Sequence, residues 1–494
     1  WNDPATAKGL ANSDVDLGKG NDRLWVNASS NGGVSNATAV EDSDIDTGSG
    51  NDSVSINANA RANGGWWWWG GGSANAKGLD NSNLDTGDGD DSISINTNAN
   101  SNGGWWWWNR GGNADSVGID NNSSINTGAG NDSVVVNSFA SGANTNAWAI
   151  RDSSIDVGSG DDYVSLNATT FQTQRRYDPA YGSENSSIDL GSGNDHLNIN
   201  ANASGQGDIR AFGALDSNID AGSGDDVVSI NASANSWGWN DPATAKGLAN
   251  SDVDLGSGND RLWVNASSSG DNSQATAVEN SDIDTGSGND SVSINANARA
   301  NGGWWWWGGG SANAKGLDNS NLDTGDGDDS ISINTNANSN GGWWWWNRGG
   351  NADSVGIDNN SSINTGAGND SVVVNSFASG ANTNAWAIRD SSIDVGSGDD
   401  YVSLNATTFQ TQRRYDPAYG SENSSIDLGS GNDRLNINAN ASGQGDIRAF
   451  GALDSTIDAG SGDDSVNINA SANSWGWNDP ATAKGLANSD VDLG

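Results

Sequence analysis

From Asp46 to Asn57 the chain reads DTGSGNDSVSIN, and its second half alternates polar and apolar residues. That period of two is the signature of a strand with one buried face. Just upstream, Ser43-Asp44-Ile45-Asp46 alternates in the same way over a shorter length. The two glycines between these stretches predict a turn, because glycine enters positive φ without steric cost. Nowhere does a run of ten residues keep the 3.6-residue apolar spacing of a helix.

The pattern recurs fourteen times, and the last Asp of each G-x-G-[ND]-D run marks a copy. These residues are Asp22, Asp52, Asp91, Asp132, Asp162, Asp195 and Asp226, then Asp260, Asp290, Asp329, Asp370, Asp400, Asp433 and Asp464. Aligned on that Asp, position minus nine is always Ser and minus seven always a branched aliphatic residue. Minus six is Asp, or Asn at Asn126 and Asn364; positions plus two and plus four are aliphatic; plus five is always Asn. The spacings run 30, 39, 41, 30, 33, 31 and 34 residues, and the set of seven repeats after 238 residues.

Repeats of this length signal stacked supersecondary units. One unit cannot bury its apolar face alone, but a stack can, each aliphatic side chain resting on its counterpart one coil away. The expectation is therefore all-β: a parallel β-solenoid of about fourteen rungs, each of two or three short strands, rising about 4.8 Å per rung. Residues 1–238 form one period, 239–476 a near-identical second, and 477–494 the start of a third, all in one continuous solenoid. The chain opens at Trp1 and closes at Gly494 in mid-motif, as a piece of something longer would. Two ladders are expected along the axis: the invariant Asn pairing its amide with those above and below, and the invariant Ser filling an inward corner too small for Leu.

Charge sharpens the picture. The chain carries 63 acidic against 21 basic side chains, a formal charge of -42, with no Cys and no Met. Such a surface excludes nucleic acid and anionic membranes as partners, and no apolar run is long enough for membrane insertion. Stacked at strand spacing, neighbouring Asp carboxylates repel by about 0.9 kcal/mol in water and roughly 3.5 kcal/mol at an effective dielectric of 20. Summed over the column this rivals the net stability of a domain, so cations are expected between rungs. Ca2+ suits a glycine turn with a carboxylate, since it takes six to eight oxygen ligands in forgiving geometry. No His/Cys cluster offers a transition-metal site. The alternative is that each Asp only makes Asx-turn hydrogen bonds.

The segment TGSGNDSVS resembles the nonapeptide G-G-x-G-x-D-x-U-x of RTX, or haemolysin-type, calcium-binding repeats, whose parallel β-roll holds Ca2+ between turns. The resemblance covers all fourteen copies from the second glycine onward; the first is replaced by Thr47, Leu17, Val157 or Ala221 and their equivalents. The family also runs its nonapeptides back to back, whereas here one occurs per rung. Carried over, the resemblance implies several Ca2+ ions between successive turns, ligated by the fourteen Asp residues and by glycine carbonyls. In the first period these glycines are Gly18, Gly20, Gly48, Gly50, Gly87, Gly89 and Gly128, with Gly130, Gly158, Gly160, Gly191, Gly193, Gly222 and Gly224. The turns are also similar to the x-G-T-G-N-D repeats of the ice-binding segment of giant bacterial RTX adhesins. Here the Thr is replaced by Ser, Ala, Asp or Lys, a poor template for ice.

The two longest units contain GGWWWWGGG and GGWWWWNRGG. Their tryptophans, Trp66, Trp67, Trp68 and Trp69 with Trp105, Trp106, Trp107 and Trp108, recur as Trp304, Trp305, Trp306 and Trp307 with Trp343, Trp344, Trp345 and Trp346. Insertions in solenoids gather on one face. Four consecutive Trp in an extended strand cannot all point inward, so they either form an exposed contact patch or fold back to seal the flank. WGWNDPA (Trp237 to Ala243) adds to that surface, and RRYDPAY (Arg175 to Tyr181) reads as a basic-aromatic loop. The one His, His196, is Arg434 in the sister copy, which argues against catalysis, and the repeated Asp pairs suit structure better than one active site. An enzyme is not expected. The expectation is an extracellular or cell-surface structural fibre, stabilised by calcium and sticking to copies of itself, both end to end and side by side, through periodic Trp patches. The alternative is an adhesin stalk or binding module for polysaccharide or, less favoured, ice.

Overall fold

The computed structural model describes residues 3–63, 72–102, 112–174, 176–238, 241–301, 310–340, 350–412, 414–476 and 479–494. Among them there are strands and turns and no helix. The fold is a parallel β-solenoid, as the periodicity predicts.

Each coil contributes three strands. In the first, β1 is Pro4–Ala11, β2 Asp14–Asp16 and β3 Arg23–Gly32; in the second, β4 is Val34–Glu41, β5 Asp44–Asp46 and β6 Ser53–Asn63. Corresponding strands pair in parallel and build three sheets: a side sheet containing β1 and β4, a short-strand sheet containing β2 and β5, and a long-strand sheet containing β3 and β6. The chain divides into two compact units, Trp1–Gly238 with Asn250–Asp252, and Trp239–Ala249 with Val253–Gly494. Each holds the same succession of coils.

Register is fixed by burial. Val54 pairs with Ile93 and Ile93 with Val134, keeping one aliphatic column inside. A slip of one residue would expose every member. Val54, Ile56 and Ile45 are fully buried, each worth about 1.5–3 kcal/mol relative to exposure. The remaining inward positions of the long strands are mostly Ala, such as Ala58, Ala60 and Ala62, or small polar residues, such as Thr97 and Ser138, so the core is thin. Thinness forces glycine at Gly78 in the side sheet, where a Cβ would fall 2.5 Å from Ile95 Cγ2.

The long strands run beyond the six residues that alternation marked, because Asn, Ser and Ala continue the alternation weakly. From Arg176 onward RRYDPAY is not a loop: Arg176–Glu184 is a strand of the side sheet. Tyr181 lies buried in it, its ring stacked 5.5 Å from Trp148 and 5.1 Å from Phe212. The flanking Asp and Pro masked its period-two pattern.

A candidate cation column

Every G-x-G turn is also a rung of hydrogen bonding. Gly48 and Gly50 have φ of 92° and 120°, the left-handed half of the map. Ser49 between them bridges Lys19 on one side and Asp88 on the other. Its N–H donates to Gly18 O at 3.0 Å, and the Gly50 N–H donates to Asp88 O at 2.7 Å. A Cβ on Gly48 would land 1.6 Å from Gly18 O, so the close approach of successive turns excludes any side chain there. The first glycine's carbonyl thus spends one lone pair on the next coil. Among the described turns the same bond joins Ser159 N–H to Gly128 O at 2.9 Å and Ser192 N–H to Gly158 O at 2.9 Å.

The motif Asp turns inward. Asp52 is 3% exposed and Asp195 1%. Its Oδ1 accepts the backbone N–H of the motif Asp one coil earlier. Asp22 N–H donates to Asp52 Oδ1 at 2.7 Å, and the relay runs to the bond from Asp195 N–H to Asp226 Oδ1, also 2.7 Å. In the second unit it runs from Asp260 N–H on Asp290 Oδ1 to Asp433 N–H on Asp464 Oδ1, both 2.9 Å. These are bonds between coils, not the local Asx turns of the alternative reading. The local turn belongs to the Asp at minus six, where Asp284 Oδ1 accepts Gly286 N–H at 2.9 Å.

The second carboxylate oxygen is what the sequence could not place. Oδ2 of Asp22, Asp52, Asp91, Asp132, Asp162 and Asp195 is buried without a hydrogen-bond partner. The same holds for Asp329, Asp370, Asp400, Asp433 and Asp464. Asp290 differs, its Oδ2 accepting Thr285 Oγ1–H at 2.6 Å. Thr285 occupies the place of the missing first glycine. That place is inward and buried in the coils after the first (Thr47, Thr86, Val157, Leu190 and Ala221 are all at most 1% exposed), so here a side chain fills the corner of the core. Where it is aliphatic, as at Val157 and Leu190, that position offers Oδ2 no hydroxyl. Burial, added to by the carboxylates of Asp162 and Asp226, pushes Asp195 up to about 7. Burial and the neighbouring Asp370 and Asp433 push Asp400 up to about 7. Asp91, Asp162, Asp226 and Asp329 rise to about 6 for the same first reason, and the hydroxyls of Thr86 and Thr324 restrain Asp91 and Asp329 without closing a bond on Oδ2.

A buried carboxylate oxygen without a donor is costly, several kcal/mol when ionised. It is neutralised by a proton or by a cation. The donor set fits a hard cation: one inward carboxylate per coil in a turn rich in carbonyls. Among the described residues no three acidic or His side chains converge on one point. An ion held here would therefore draw on two Asp of successive coils and on backbone carbonyls for its remaining ligands. The motif glycines of the first unit, Gly18 and Gly20 through Gly222 and Gly224, all keep positive φ in these turns.

Two further ladders flank the column. Asn57 Nδ2 donates to Asn27 Oδ1 at 3.0 Å and Asn96 Nδ2 to Asn57 Oδ1 at 3.2 Å, up to Asn231 Nδ2 on Asn200 Oδ1 at 3.1 Å. This is the expected amide ladder, on the outer face of the long-strand sheet. The invariant Ser is buried as expected, and it also bonds: Ser43 Oγ accepts Ser13 N–H at 3.0 Å and donates to Glu41 O at 2.8 Å. A third ladder escaped the sequence reading. Position minus ten is Asn or Asp in every copy, and Asp42, Asn81, Asp152 and Asn185 have φ near 50° there. Asn81 Nδ2 donates to Asp42 Oδ1 at 2.7 Å and Asn185 Nδ2 to Asp152 Oδ1 at 2.6 Å. The invariant Asx-Ser pair was the available signal. Asn81, Asp152 and Asn185 line an open groove of about 1000 Å³ in the first unit.

The Trp patches at Trp66 to Trp69, Trp105 to Trp108, Trp304 to Trp307 and Trp343 to Trp346 lie outside the described residues. Their insertions leave at the ends of long strands, after Asn63 and Asn102. Trp237, from WGWNDPA, is half exposed and packs on Phe171 with ring centroids 5.8 Å apart. His196 opens a long strand and stacks on Tyr163 at 5.5 Å. No protein-family model and no curated protein matches the chain.

Proposed function

We propose that this chain is an extracellular or cell-surface structural rod, part of a fibre or filament, whose coils are tied together by Ca2+ along the column of motif Asp residues. The observation that carries the reading is the buried Oδ2 without a hydrogen-bond donor, found from Asp22 to Asp195 and from Asp329 to Asp464, with Asp290, whose Oδ2 accepts Thr285 Oγ1–H, as the exception. Calcium would supply the positive charge these oxygens lack. The chain's own part is to present Asp52 and its equivalents inward, one per coil, while their Oδ1 atoms hold the coils in register. The resemblance of the turns to RTX repeats supports the same reading, as does the concentration of free calcium outside cells, where modules of modest affinity fill. Repetition of one 238-residue period gives both units the same outer surfaces, as a periodic assembly requires.

The test is far-ultraviolet circular dichroism. Chelation with EDTA is expected to remove the strand signal or lower its melting temperature, and added Ca2+ to restore it, with Mg2+ a poor substitute. Spectra and melting unchanged by EDTA at low ionic strength overturn the reading. A second reading, a binding module for neutral polysaccharide, is favoured by the exposed rings of Trp25, Phe171 and Trp237.

A further inference from the structure

The 63 acidic residues are not spread evenly. None of the fourteen long strands contains an Asp or a Glu, from Arg23–Gly32 and Ser53–Asn63 to Arg434–Gly443 and Ser465–Ser474. Their only basic or imidazole side chains are Arg23, Arg61 and His196 in the first unit and Arg261, Arg299 and Arg434 in the second. In a chain of formal charge -42 this leaves one sheet face without a carboxylate of its own. The short-strand sheet is the opposite, with exposed Asp14, Asp16, Asp44 and Asp46 on adjacent strands.

The same face collects the exposed rings. Among the described residues every large aromatic side chain with substantial exposure lies on a long strand or directly after one. In the first unit these are Trp25, Phe139, Tyr163, Phe171 and Trp237, and the second unit repeats the set. A shallow hollow of about 400 Å³ opens beside one of them, Phe377, lined also by Asn334, Asn375 and Thr407.

We propose that the outer face of the long-strand sheet is a docking surface for a second copy of this chain, packed face to face. The inference rests on the structural-rod reading and names the surface on which rods associate. Charge singles out the face. Two chains this acidic repel wherever carboxylate columns meet, whereas acid-free faces placed together leave the acidic sheets pointing away from each other. Area is sufficient. Seven coils at about 4.8 Å and strands of ten residues at about 3.3 Å give roughly 1,100 Å² per unit on each partner, above the roughly 800 Å² per partner of a stable interface. Hydrogen bonding favours protein over sugar. Asn96 Nδ2 already donates to Asn57 Oδ1 at 3.2 Å and to Ser94 Oγ at 3.1 Å, and Asn57, Asn167 and Asn231 spend both amide hydrogens in the same way. The Asn column thus turns its amide donors inward on the sheet rather than toward a hydroxyl-rich ligand, while a ring that projects beside a hollow, as Phe377 does, suits a self-complementary contact.

The test compares the whole chain with T169D/T407D, which sets one carboxylate on the proposed face of each unit, by sedimentation equilibrium in calcium buffer. Thr169 and Thr407 are half-buried and outward, so circular dichroism and calcium-dependent melting stay as in the parent. The parent is expected to sediment as two or more chains and the variant as one. F171S/F409S, which removes rings without adding charge, is expected to weaken association at least roughly tenfold. A parent that stays a single chain, or variants that associate as the parent does, overturns the proposal. Retention of a single-chain parent on cellulose or xylan, lost in T169D/T407D, overturns it in favour of a glycan. Melting that ignores EDTA while association still depends on Thr169 and Thr407 would sink the calcium reading and leave this face intact.

Discussion

Asp162 donates its backbone N–H to Oδ1 of Asp195 at 2.7 Å, and the other oxygen of the Asp195 carboxylate lies buried with no donor of its own. One atom of the side chain ties two coils together while the other opposes the stack. Replacing Asp195 by Asn separates the two effects, because the amide keeps an acceptor for Asp162 and carries no charge. At pH 8 in EDTA, D195N is expected to melt higher than the parent, by roughly 1–3 kcal/mol of stability. In saturating Ca2+ the order reverses and titration calorimetry counts fewer bound ions. A variant less stable than the parent in EDTA would show that the carboxylate charge is not a burden.

The metal-free chain should also lose stability as pH rises. Four of its motif carboxyls bind protons more tightly when folded, Asp195 and Asp400 at about 7 and Asp162 and Asp226 at about 6, above the ordinary carboxylate value of the unfolded chain. The folded state therefore holds more protons between these limits, and stability is fully present below about pH 4 and falls through pH 6 to 7. Melting in EDTA is expected to be highest near pH 4 to 5 and lowest at pH 8, and Ca2+ to flatten the dependence. This is the reverse of ordinary acid denaturation, and melting temperatures across that range decide it.

The three-sheet coil was legible because its apolar columns recur at fixed offsets from one Asp: Ile45, Val54 and Ile56 all lie where period-two alternation put them. The amide ladder from Asn27 to Asn231 was legible because the position never varies. Direction inside the turn was not. Sequence gives Asp52 a place in a column but not which oxygen faces a neighbour's N–H, since that depends on the strand spacing and on the φ values of Gly48 and Gly50 together. The αL corner at Asn81 and Asn185 was missed because Asn before Ser suits many turns, and only stacking turns it into a ladder.

Gly48 tests the closeness of the turns directly. A methyl group there meets Gly18 O at 1.6 Å at a φ that L residues avoid, and backbone cannot yield as a flexible side chain would. G48A is expected to cost more than about 3 kcal/mol. Because coils stack one-dimensionally, the loss should appear in hydrogen exchange as fast amides in the coils around Gly48, with the distant coils of the same unit still protected. Uniform protection would show that the turns have room to spare.

Arg151 holds a staple on the side sheet that carries the opposite pH signature. It grips Asp120 with two hydrogen bonds of 2.8 Å, Lys77 adds an ion pair at 2.9 Å, and the guanidinium lies 4.5 Å over the ring of Trp148. Burial raises the Asp120 carboxyl, but Arg151 and then Lys77 outweigh it, so the net shift is downward. The staple's contribution is present above the ordinary carboxylate range and lost as pH falls below it. R151M keeps the apolar stem and leaves a fully buried carboxylate with Lys77 as its remaining cation. It is expected to cost roughly 3–5 kcal/mol at neutral pH and less in strong acid, where Asp120 is protonated in either protein. D120N/R151M removes both charges and should recover part of the loss. Thermal melts of the three proteins at neutral pH and in acid measure each step, and equal destabilisation by R151M at both would show that Arg151 acts through packing on Trp148 rather than through charge.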